Sequence, residues 1–246
     1  MSTRGPRLVL LGKQGAGKGT QASRIAEHYD VAHLSTGDLF REAAAAHSEL
    51  GLAAKDYMDR GDLVPDETVV GVVEEQLNHD YRIRRGFVLD GFPRTRRQAE
   101  ELHRILEGHP LDLAIDLDVP TEIVLKRIAG RRVCSECGTV YHVDQPPTSS
   151  VGTASGPSTD SGRRSHSSPA GDWKCDVCGG QVVQRDDDTE EAVMRRLELY
   201  EIETLPVIQF YRRTGALAHV DGSAESDEVF KKLVETVESR LDREKP

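Results

Sequence analysis

The stretch Gly12-Lys13-Gln14-Gly15-Ala16-Gly17-Lys18-Gly19-Thr20 decides the fold class of this chain. It follows a short apolar run at residues 8–11 and opens a helix-like segment. Closely spaced glycines let the backbone curl until several N–H groups point at phosphate oxygens, and the helix start adds partial positive charge. Lys18 stands where its ammonium reaches the terminal phosphates. We therefore interpret the stretch as a phosphate-binding loop, or P-loop, rather than a plain glycine-rich turn.

One position of this loop departs from the common pattern. Gly19 stands where most P-loops carry Ser or Thr after the lysine, and the hydroxyl follows one residue later at Thr20. In GTPases and ATPases that hydroxyl holds Mg²⁺. The shift therefore favours the variant loop of small nucleotide kinases.

The rest of the chain alternates short apolar runs with amphipathic segments. The strand-like runs are residues 7–11, 31–34, 87–89, 114–119 and 217–220, and the helix-like segments include 18–28, 66–78, 96–107, 122–129 and 190–212. Such alternation predicts an α/β fold with a parallel sheet. Pro206 is expected to kink or end the last helix. Asp38, after Gly37 at an apparent helix start, is expected to cap that helix.

Composition excludes several classes of protein. The chain has 246 residues and a formal charge of −10, from 32 Lys and Arg against 42 Asp and Glu. That charge argues against coating nucleic acid or an anionic membrane. No apolar run approaches the ~20 residues of a membrane span, and the apolar block near the N-terminus is shorter than the ~7–15 residues of a signal peptide core. We expect a cytoplasmic protein without a nucleic-acid or membrane partner.

All four cysteines fall into two Cys-x₂-Cys-Gly pairs, Cys134 with Cys137 and Cys175 with Cys178. Such turns let two thiolates face one tetrahedral metal ion, so the four residues predict a structural zinc site. Stable disulfides are disfavoured inside cells, and a redox pair needs no second copy. Iron remains an alternative, since four thiolates bind either metal.

A polar segment separates the two cysteine pairs. Residues 144–171 include eight Ser, four Gly and four Pro but no Leu, Ile, Phe, Met or Tyr. Such a stretch buries too little apolar surface to offset its ordering entropy. We interpret it as a flexible insertion, which the metal site tolerates because loop closure costs only about 0.6 kcal/mol per doubling of length.

With these motifs in this order, the chain resembles the adenylate kinase family, in its long-lid bacterial type. The motifs that carry the resemblance are residues 15–21 (GAGKGTQ), 34–38 (LSTGD), 89–95 (LDGFPRT), 130–132 (GRR), 140–142 (VYH) and 185–187 (RDD). The resemblance spans residues 7 to 241 apart from the insertion.

The resemblance implies a P-loop NTPase-type core with a five-stranded parallel sheet and two excursions. The core would comprise residues 1–34, 65–130 and 186–246, the AMP-binding region residues 35–64, and the Cys₄ zinc-bearing lid residues 131–185. The implied reaction is ATP + AMP = 2 ADP, carried out by a monomer. Phosphoryl transfer needs positioning and charge neutralisation rather than a nucleophilic side chain, which fits a chain that offers Lys18 and several arginines.

Site residues follow from the same resemblance. The implied catalytic cations are Lys18, Arg94, Arg131, Arg185 and Arg196. ATP would contact Gly15, Ala16, Gly17, Lys18, Gly19, Thr20, Arg131, Val140, Tyr141 and Ala224. AMP would contact Thr36, Arg41, Asp62, Leu63, Val64, Gly91, Phe92, Pro93, Arg94, Gln98, Arg185 and Arg196. Asp90 would organise Mg²⁺ through water, and Asp187 and Asp188 would orient the lid arginines.

Two alternatives stay open. One is another nucleoside monophosphate kinase, with UMP or CMP as acceptor or GTP as donor. The other, from a different class, is a zinc-ribbon nucleic-acid-binding protein with a regulatory P-loop. The second would need a basic face, which the acidic composition disfavours.

Overall fold

The computed structural model describes residues 4–79, 85–148 and 173–243. It divides into two compact units: Met1–Val124 with Thr189–Pro246, and Leu125–Asp188. Of the insertion expected at residues 144–171, residues 149–171 lie outside the described residues. Within the described residues, no helix combines the length and the apolar character that crossing a membrane requires.

The first unit is built on a sheet of five parallel strands. These are β1 (Arg7–Leu11), β2 (Ala32–Ser35), β3 (Phe87–Asp90), β4 (Leu113–Asp118) and β8 (Leu217–Asp221), in the order β2-β3-β1-β4-β8. The predicted fold class is confirmed, with each predicted strand within one residue of its observed bounds. β1 is central and buried along its whole length, as strands covered by helices on both faces must be.

Helices alternate with these strands along the described parts of the chain. They are α1 (Lys18–Tyr29), α2 (Thr36–Ala45), α3 (Glu49–Asp59), α4 (Asp66–His79), α5 (Arg96–Ile105), α6 (Thr121–Gly130), α7 (Glu190–Leu199), α8 (Leu205–Arg213) and α9 (Ser226–Arg243). One core cluster joins the sheet to α5 and α8 through Val9, Leu89, Leu102 and Val207. Because the carboxyl ends of parallel strands share one edge, ligands of such sheets bind beyond that edge.

Two local expectations need correction. Ser35, not Asp38, caps α2: its hydroxyl accepts a hydrogen bond from the Asp38 N–H at 3.3 Å, and Asp38 lies inside the first turn. Residues 190–212 do not form one helix. A π-helical turn at Tyr200–Thr204 separates α7 from α8, so the interruption expected at Pro206 begins earlier, and Pro206 lies in the first turn of α8.

The second unit contains the end of α6 and a small antiparallel sheet. Its strands are β5 (Arg131–Cys134), β6 (Val140–His142) and β7 (Val182–Val183), in the order β6-β5-β7. Its core consists of Cys134, Cys175 and Val182, with Tyr141 and Trp173 packed against them. So small an apolar cluster supplies little stability, which is the situation in which metal ligation is usually needed.

Candidate active site

The P-loop leaves the carboxyl end of β1 and enters α1, as the sequence predicts. Gly12, Gly15 and Gly17 all have positive φ values, at 137°, 80° and 97°. At Gly12 a Cβ would lie 2.6 Å from the carbonyl oxygen of Leu117 on β4, so only glycine fits there. Gly17 begins α1 without a side-chain cap, and the first turn of α1 contains no acidic residue. A helix start of this kind suits an anionic ligand.

Lys18 folds back over this loop. Its ammonium donates hydrogen bonds to the carbonyl oxygens of Gly12 and Lys13, both at 2.9 Å. The ammonium is therefore held above the curled backbone, where a point charge meets phosphates that enter the loop.

Asp90 ends β3 next to the P-loop. β3 pairs with β1 in parallel, with Leu10 opposite Asp90. A Cβ at Gly19 would lie 3.3 Å from the Asp90 carboxylate. Because Gly19 has no side chain, the carboxylate can approach the start of α1. A carboxylate in this position, beside a phosphate-binding loop, offers the oxygen ligands that Mg²⁺ prefers.

A pocket lies between α2, the start of α5 and α7. The space within it is about 420 Å³, which includes the solvent-filled opening. Among the predicted AMP-binding residues, those that line it are Thr36, Asp62, Leu63, Val64, Gly91, Arg94, Gln98 and Arg196. The structure therefore brings together, in one cavity, residues spread over more than 150 positions of the chain.

A hydrogen-bonded network sets the shape of this pocket. The Thr36 hydroxyl donates to the Gly91 carbonyl oxygen at 3.1 Å, and Arg94 Nε donates to the same oxygen at 2.8 Å. The Gln98 amide oxygen accepts from the Arg94 N–H at 2.7 Å, and its nitrogen donates to Asp66 Oδ1 at 2.7 Å. Gln98 is almost fully buried, so both ends of its amide need these partners.

The other predicted AMP-binding residues do not line this pocket. The Arg41 guanidinium folds over Gly37 and pairs with Asp38 at 2.5 Å. Phe92 is buried in the core, and Pro93 follows it through a cis peptide bond. Arg185 belongs to the second unit. Contacts of these four residues with AMP stay predictions.

The second unit holds the remaining predicted cations. Arg131, at the start of β5, forms a two-point ion pair with Asp188: Nε donates to Oδ2 at 2.8 Å and Nη2 donates to Oδ1. The Asp188 side chain is fully buried and that of Arg131 is 15% exposed. A bidentate ion pair between a guanidinium and a carboxylate fixes the plane of the guanidinium. Asp188 therefore orients Arg131, as expected. Convergence of Arg131 and Arg185 with Arg94 and Arg196 stays a prediction.

The four cysteines come together in the second unit. Their Sγ atoms all lie within 4.8 Å of one another, with Cys134 3.4 Å from Cys178 and Cys137 3.5 Å from Cys175. A tetrahedron with Zn–S bonds of ~2.3 Å has sulfur–sulfur edges of about 3.8 Å. None of the four is in a disulfide. The cluster therefore has the size and donor chemistry of a tetrahedral thiolate site.

The two Cys-x₂-Cys-Gly turns share one geometry. Gly138 and Gly179 both have positive φ, at 72° and 76°, and their N–H groups donate to the carbonyl oxygens of Cys134 and Cys175. The N–H groups of Val177 and Gly180 lie 3.4 Å from cysteine sulfurs. Donors aimed at sulfur favour the thiolate form that binds a metal.

Tyr141 contacts this cluster. Its hydroxyl lies 3.3 Å from Cys175 Sγ and accepts a hydrogen bond from the Asp176 N–H at 2.9 Å. The hydrogen bond from Tyr141 lowers the pKa of Cys175 to about 6, while burial raises the pKa of Tyr141 to about 12. The Gly180 N–H lowers the pKa of Cys178, but hydrogen bonds shared with the three other thiols, together with burial, outweigh it and raise that pKa to about 12. Whether Tyr141 also borders ATP stays a prediction.

The last two predicted ATP-binding residues lie in different units. Val140, on β6, is half-exposed in the second unit. Ala224 lies in the turn between β8 and α9, where the Gly222 N–H donates to the Asp118 carbonyl oxygen at 2.8 Å. The turn thus lies at the carboxyl ends of β4 and β8, the same edge of the sheet as the P-loop.

Several residues that shape the pocket are not apparent from the motifs. Phe40, Met58 and Val69 line it as apolar wall residues. Asp66 accepts from the Thr95 hydroxyl as well as from Gln98. Asp66 follows Pro65 at the start of a predicted helix, and its position therefore indicates a helix N-terminus. The neighbouring sequence does not indicate that its partner is Gln98, 32 residues away.

Comparison with known proteins shows what this chain is similar to. The family model described as adenylate kinase matches residues 10–216. A protein of Thermodesulfovibrio yellowstonii named adenylate kinase is 45% identical over 236 residues, 95% of this chain and all of that protein. Adenylate kinases of Archaeoglobus fulgidus (45%) and Clostridium perfringens (43%) each cover 92% of this chain and 95% and 96% of their own lengths.

Proposed function

We propose that, in this member of the adenylate kinase family, the P-loop holds ATP and the pocket between α2 and α7 holds AMP. The chain is a nucleoside monophosphate kinase and catalyses ATP + AMP = 2 ADP. The observation that carries this assignment is the pocket itself. Eight predicted AMP-binding residues from five separate segments line it, and two of them, Arg94 and Arg196, are cations.

The acceptor side of the reaction depends on placement. No side chain needs to act as a nucleophile, because a phosphate oxygen of AMP attacks the terminal phosphate of ATP. Arg94 is held by the Gly91 carbonyl oxygen and Arg196 by the Met58 carbonyl oxygen, at 2.8 Å each. Two guanidinium groups fixed at one pocket neutralise phosphate charge without having to reorganise during transfer.

The donor side depends on the P-loop. The amides of residues 15–20 bind the phosphates of ATP, and the Lys18 ammonium adds a point charge at the transferred group. Asp90, beside this loop, would hold Mg²⁺ through water, and the ion would supply positive charge to the phosphates of ATP.

The second unit acts as the lid over ATP in this proposal. Arg131, oriented by Asp188, and Arg185 reach the transferred phosphoryl group and stabilise its charge. Val140, Tyr141 and, from the first unit, Ala224 border ATP. A closed lid excludes water, which would otherwise accept the phosphoryl group.

The metal of the cysteine cluster is zinc, and its role is structural. All four positions of a tetrahedral ion are taken by cysteine sulfurs, so no open position remains for substrate. When bound, zinc joins the two Cys-x₂-Cys-Gly turns and closes the long loop between them.

We further infer that the protein is a cytoplasmic monomer without nucleic-acid or membrane partners. The net charge of −10 supports the absence of nucleic-acid and membrane partners, since an acidic protein is not attracted to anionic surfaces.

A coupled assay tests the assignment. ADP formation is measured with ATP as donor and AMP, UMP, CMP or GMP as acceptor, then with GTP as donor, and zinc and iron are measured on the same sample. We expect AMP to be preferred by at least tenfold and one zinc per chain. If a pyrimidine nucleotide is the preferred acceptor, or GTP the preferred donor, the substrate assignment is wrong. If the protein binds RNA or DNA in a salt-sensitive way and has no kinase activity, the enzyme assignment is wrong.

A further inference from the structure

Residues 58–62, called here the 58–62 segment, rest against the first turns of α7. The Arg196 guanidinium donates to the Met58 carbonyl oxygen at 2.8 Å, and Arg195 Nε donates to Asp62 Oδ1 at 3.0 Å. Between these contacts Gly61 approaches α7 so closely that a Cβ would lie 2.4 Å from the Ala192 carbonyl oxygen. The segment and the helix therefore meet at three points along two turns.

This junction joins two walls of the AMP pocket. Asp62 lines the pocket from the 58–62 segment, and Arg196 lines it from α7. Arg195 does not line the pocket; its guanidinium points outward, 43% exposed, and also donates to Glu198 at 2.8 Å. Of the two consecutive arginines, one faces the ligand and the other connects the two walls from outside.

The ion pair of Asp62 with Arg195 crosses this junction, whereas the other partner of Asp62 does not. Arg60 Nε donates to Asp62 Oδ2 at 3.3 Å, but Arg60 belongs to the 58–62 segment itself. The hydrogen bond from Arg195 is the largest of the influences that lower the pKa of Asp62. Removing Arg195 leaves Asp62 charged and bound to Arg60, but no longer tied to α7.

An exposed ion pair contributes little to the stability of a fold. The same small energy matters more when it biases the position of two pocket walls, because apparent affinity falls with the fraction of molecules in the binding-competent arrangement. A contact that acts in this way changes the binding of one substrate and leaves the fold and the other substrate unaffected.

We propose that Arg195 is a positioning residue for AMP: its ion pair with Asp62 holds the 58–62 segment against α7 and so keeps the AMP pocket in its binding arrangement. The proposal rests on the assignment of this pocket to AMP. It concerns the acceptor alone, since nothing in the junction belongs to the P-loop.

Steady-state kinetics of Arg195→Gln test it. We expect the KM for AMP to rise two- to fivefold, a change of about 0.4–1 kcal/mol, while the KM for ATP and kcat stay within a factor of 1.5. The ratio of the two KM values for AMP, variant over wild type, should shrink in ~0.5 M NaCl, since salt screens the exposed pair in the wild type. Arg195→Lys keeps the charge, so its KM for AMP should rise by no more than half as much as that of Arg195→Gln.

Two further variants separate positioning from general effects. Glu198→Gln removes the other partner of Arg195 without touching the junction, and we expect its KM for AMP to match the wild type. Asp62→Asn should raise the KM for AMP, and Asp62→Asn with Arg195→Gln should be no worse than the more affected single variant. Additive effects of the two substitutions would overturn the proposal.

Failure of the proposal and failure of the pocket assignment give different results. If Arg195→Gln leaves the KM for AMP unchanged in an enzyme that phosphorylates AMP, the positioning role is wrong and the pocket assignment stands. If Arg94→Ala, inside the pocket, also leaves AMP kinetics unchanged, the pocket assignment itself is wrong. Equal changes in both substrates, with a lower melting temperature, would show a structural role for Arg195 and would equally overturn the proposal.

Discussion

Arg94 and Arg96 lie two positions apart at the start of α5 and have opposite surroundings. Arg94 lines the pocket proposed for AMP, whereas Arg96 is 62% exposed and pairs with Glu100 on the helix surface at 2.8 Å. Removing a cation that meets developing charge costs ~10²–10³ in turnover, whereas removing an exposed ion pair costs little. We therefore expect Arg94→Ala to lower kcat by at least 100-fold and Arg96→Ala by less than twofold.

The coupled ADP assay measures this difference at saturating ATP and AMP. Circular dichroism of both variants checks that they are folded, since Arg94 also bonds within the Gly91 turn. Lys18→Ala should lose turnover to a similar extent. A turnover of Arg94→Ala close to that of Arg96→Ala would remove Arg94 from the catalytic residues.

Asp66 is the residue on which the buried Gln98 amide depends. Its two oxygens accept from Gln98 Nε2 at 2.7 Å and from the Thr95 hydroxyl at 3.0 Å. Asp66→Ala would leave a buried donor without its partner, which costs about 1–3 kcal/mol. We expect the free energy of unfolding in urea to fall by that amount and the KM for AMP to rise.

Glu67→Ala is the matched control for Asp66→Ala, because Glu67 is the next residue, is 68% exposed and pairs with Arg97 on the surface. Its unfolding free energy should change by less than about 0.5 kcal/mol. Equal losses in the two variants would show that the Gln98 contact is not what stabilises this site.

At the residue scale, sequence reasoning finds groups that belong to a contiguous motif and misses those defined by a partner. Lys18 and Arg94 are predictable because the motifs around them have a chemical reason. Asp66 and Arg195 are not, since each acts through a contact 32 or 133 residues away that folding alone creates. The assignment of the α2 cap to Asp38 is wrong for a similar reason: Ser35, the residue at the strand end, already supplies the acceptor.

At the scale of elements, β4 and β8 place a buried carboxylate opposite a histidine. Asp116 pairs in register with His219, is 6% exposed, and its Oδ2 lies 3.0 Å from His219 Nδ1. Burial raises the pKa of Asp116 above its usual value, and the nearby charge of Asp118 adds to this, while His219 and Lys13 act in the opposite direction.

The folded state therefore binds a proton at Asp116 more readily than the unfolded state does. The resulting contribution to stability is complete below the ordinary carboxyl pKa of ~4 and is lost as the pH rises through the higher pKa of the folded state. We expect the unfolding free energy of the wild type, minus that of Asp116→Asn, to decrease as pH rises from 4 to 7 in urea titrations. Asp56→Asn, at an exposed carboxylate of α3 that is not among the groups influencing the pKa of Asp116, is the control; the same trend in both variants would contradict the assignment to Asp116.

The helices that follow the second unit show where element prediction reaches its limit. Apolar periodicity predicts one helix over residues 190–212, with an interruption at Pro206. The structure has a π-helical turn at Tyr200–Thr204 before Leu205, where the Thr204 hydroxyl donates to the Arg94 carbonyl oxygen at 3.0 Å. The position of the break thus depends on a tertiary contact with the start of α5 as well as on the proline, and only the proline is visible in the sequence.

At the scale of the whole molecule, the chain order of motifs predicts the fold well. A P-loop at the end of one strand and Asp90 at the end of another must meet if the sheet is parallel, and β1 and β3 are indeed neighbours. The net charge of −10 says nothing of the pocket, because two cations, Arg94 and Arg196, line it in a chain that is acidic as a whole. Sequence cannot give the distances between them, which depend on how α2, α5 and α7 pack.

Metal removal tests the division of the molecule into two units. In the second unit, the apolar cluster at the cysteines contains three buried residues, two of which are the cysteines themselves, whereas the first unit has an extended apolar core. Loss of the ion should therefore unfold the second unit alone, since binding energy at a thiolate site is largely folding energy. We expect calorimetry of the chelated protein to show a low-temperature transition that the metal-bound protein lacks, with the main transition nearly unchanged.

Activity distinguishes a structural metal from a catalytic one in the same sample. Because the four sulfurs leave the ion no open position, the chelated enzyme should retain most of its ATP + AMP activity below the first transition and lose it above. Zn²⁺, but not Mg²⁺, should abolish the low-temperature transition, and Cys175→Ser should behave like the chelated protein. A chelated enzyme that stays folded yet transfers no phosphoryl group would instead assign the metal to the chemistry, and an unchanged melting profile would show that the second unit folds without it.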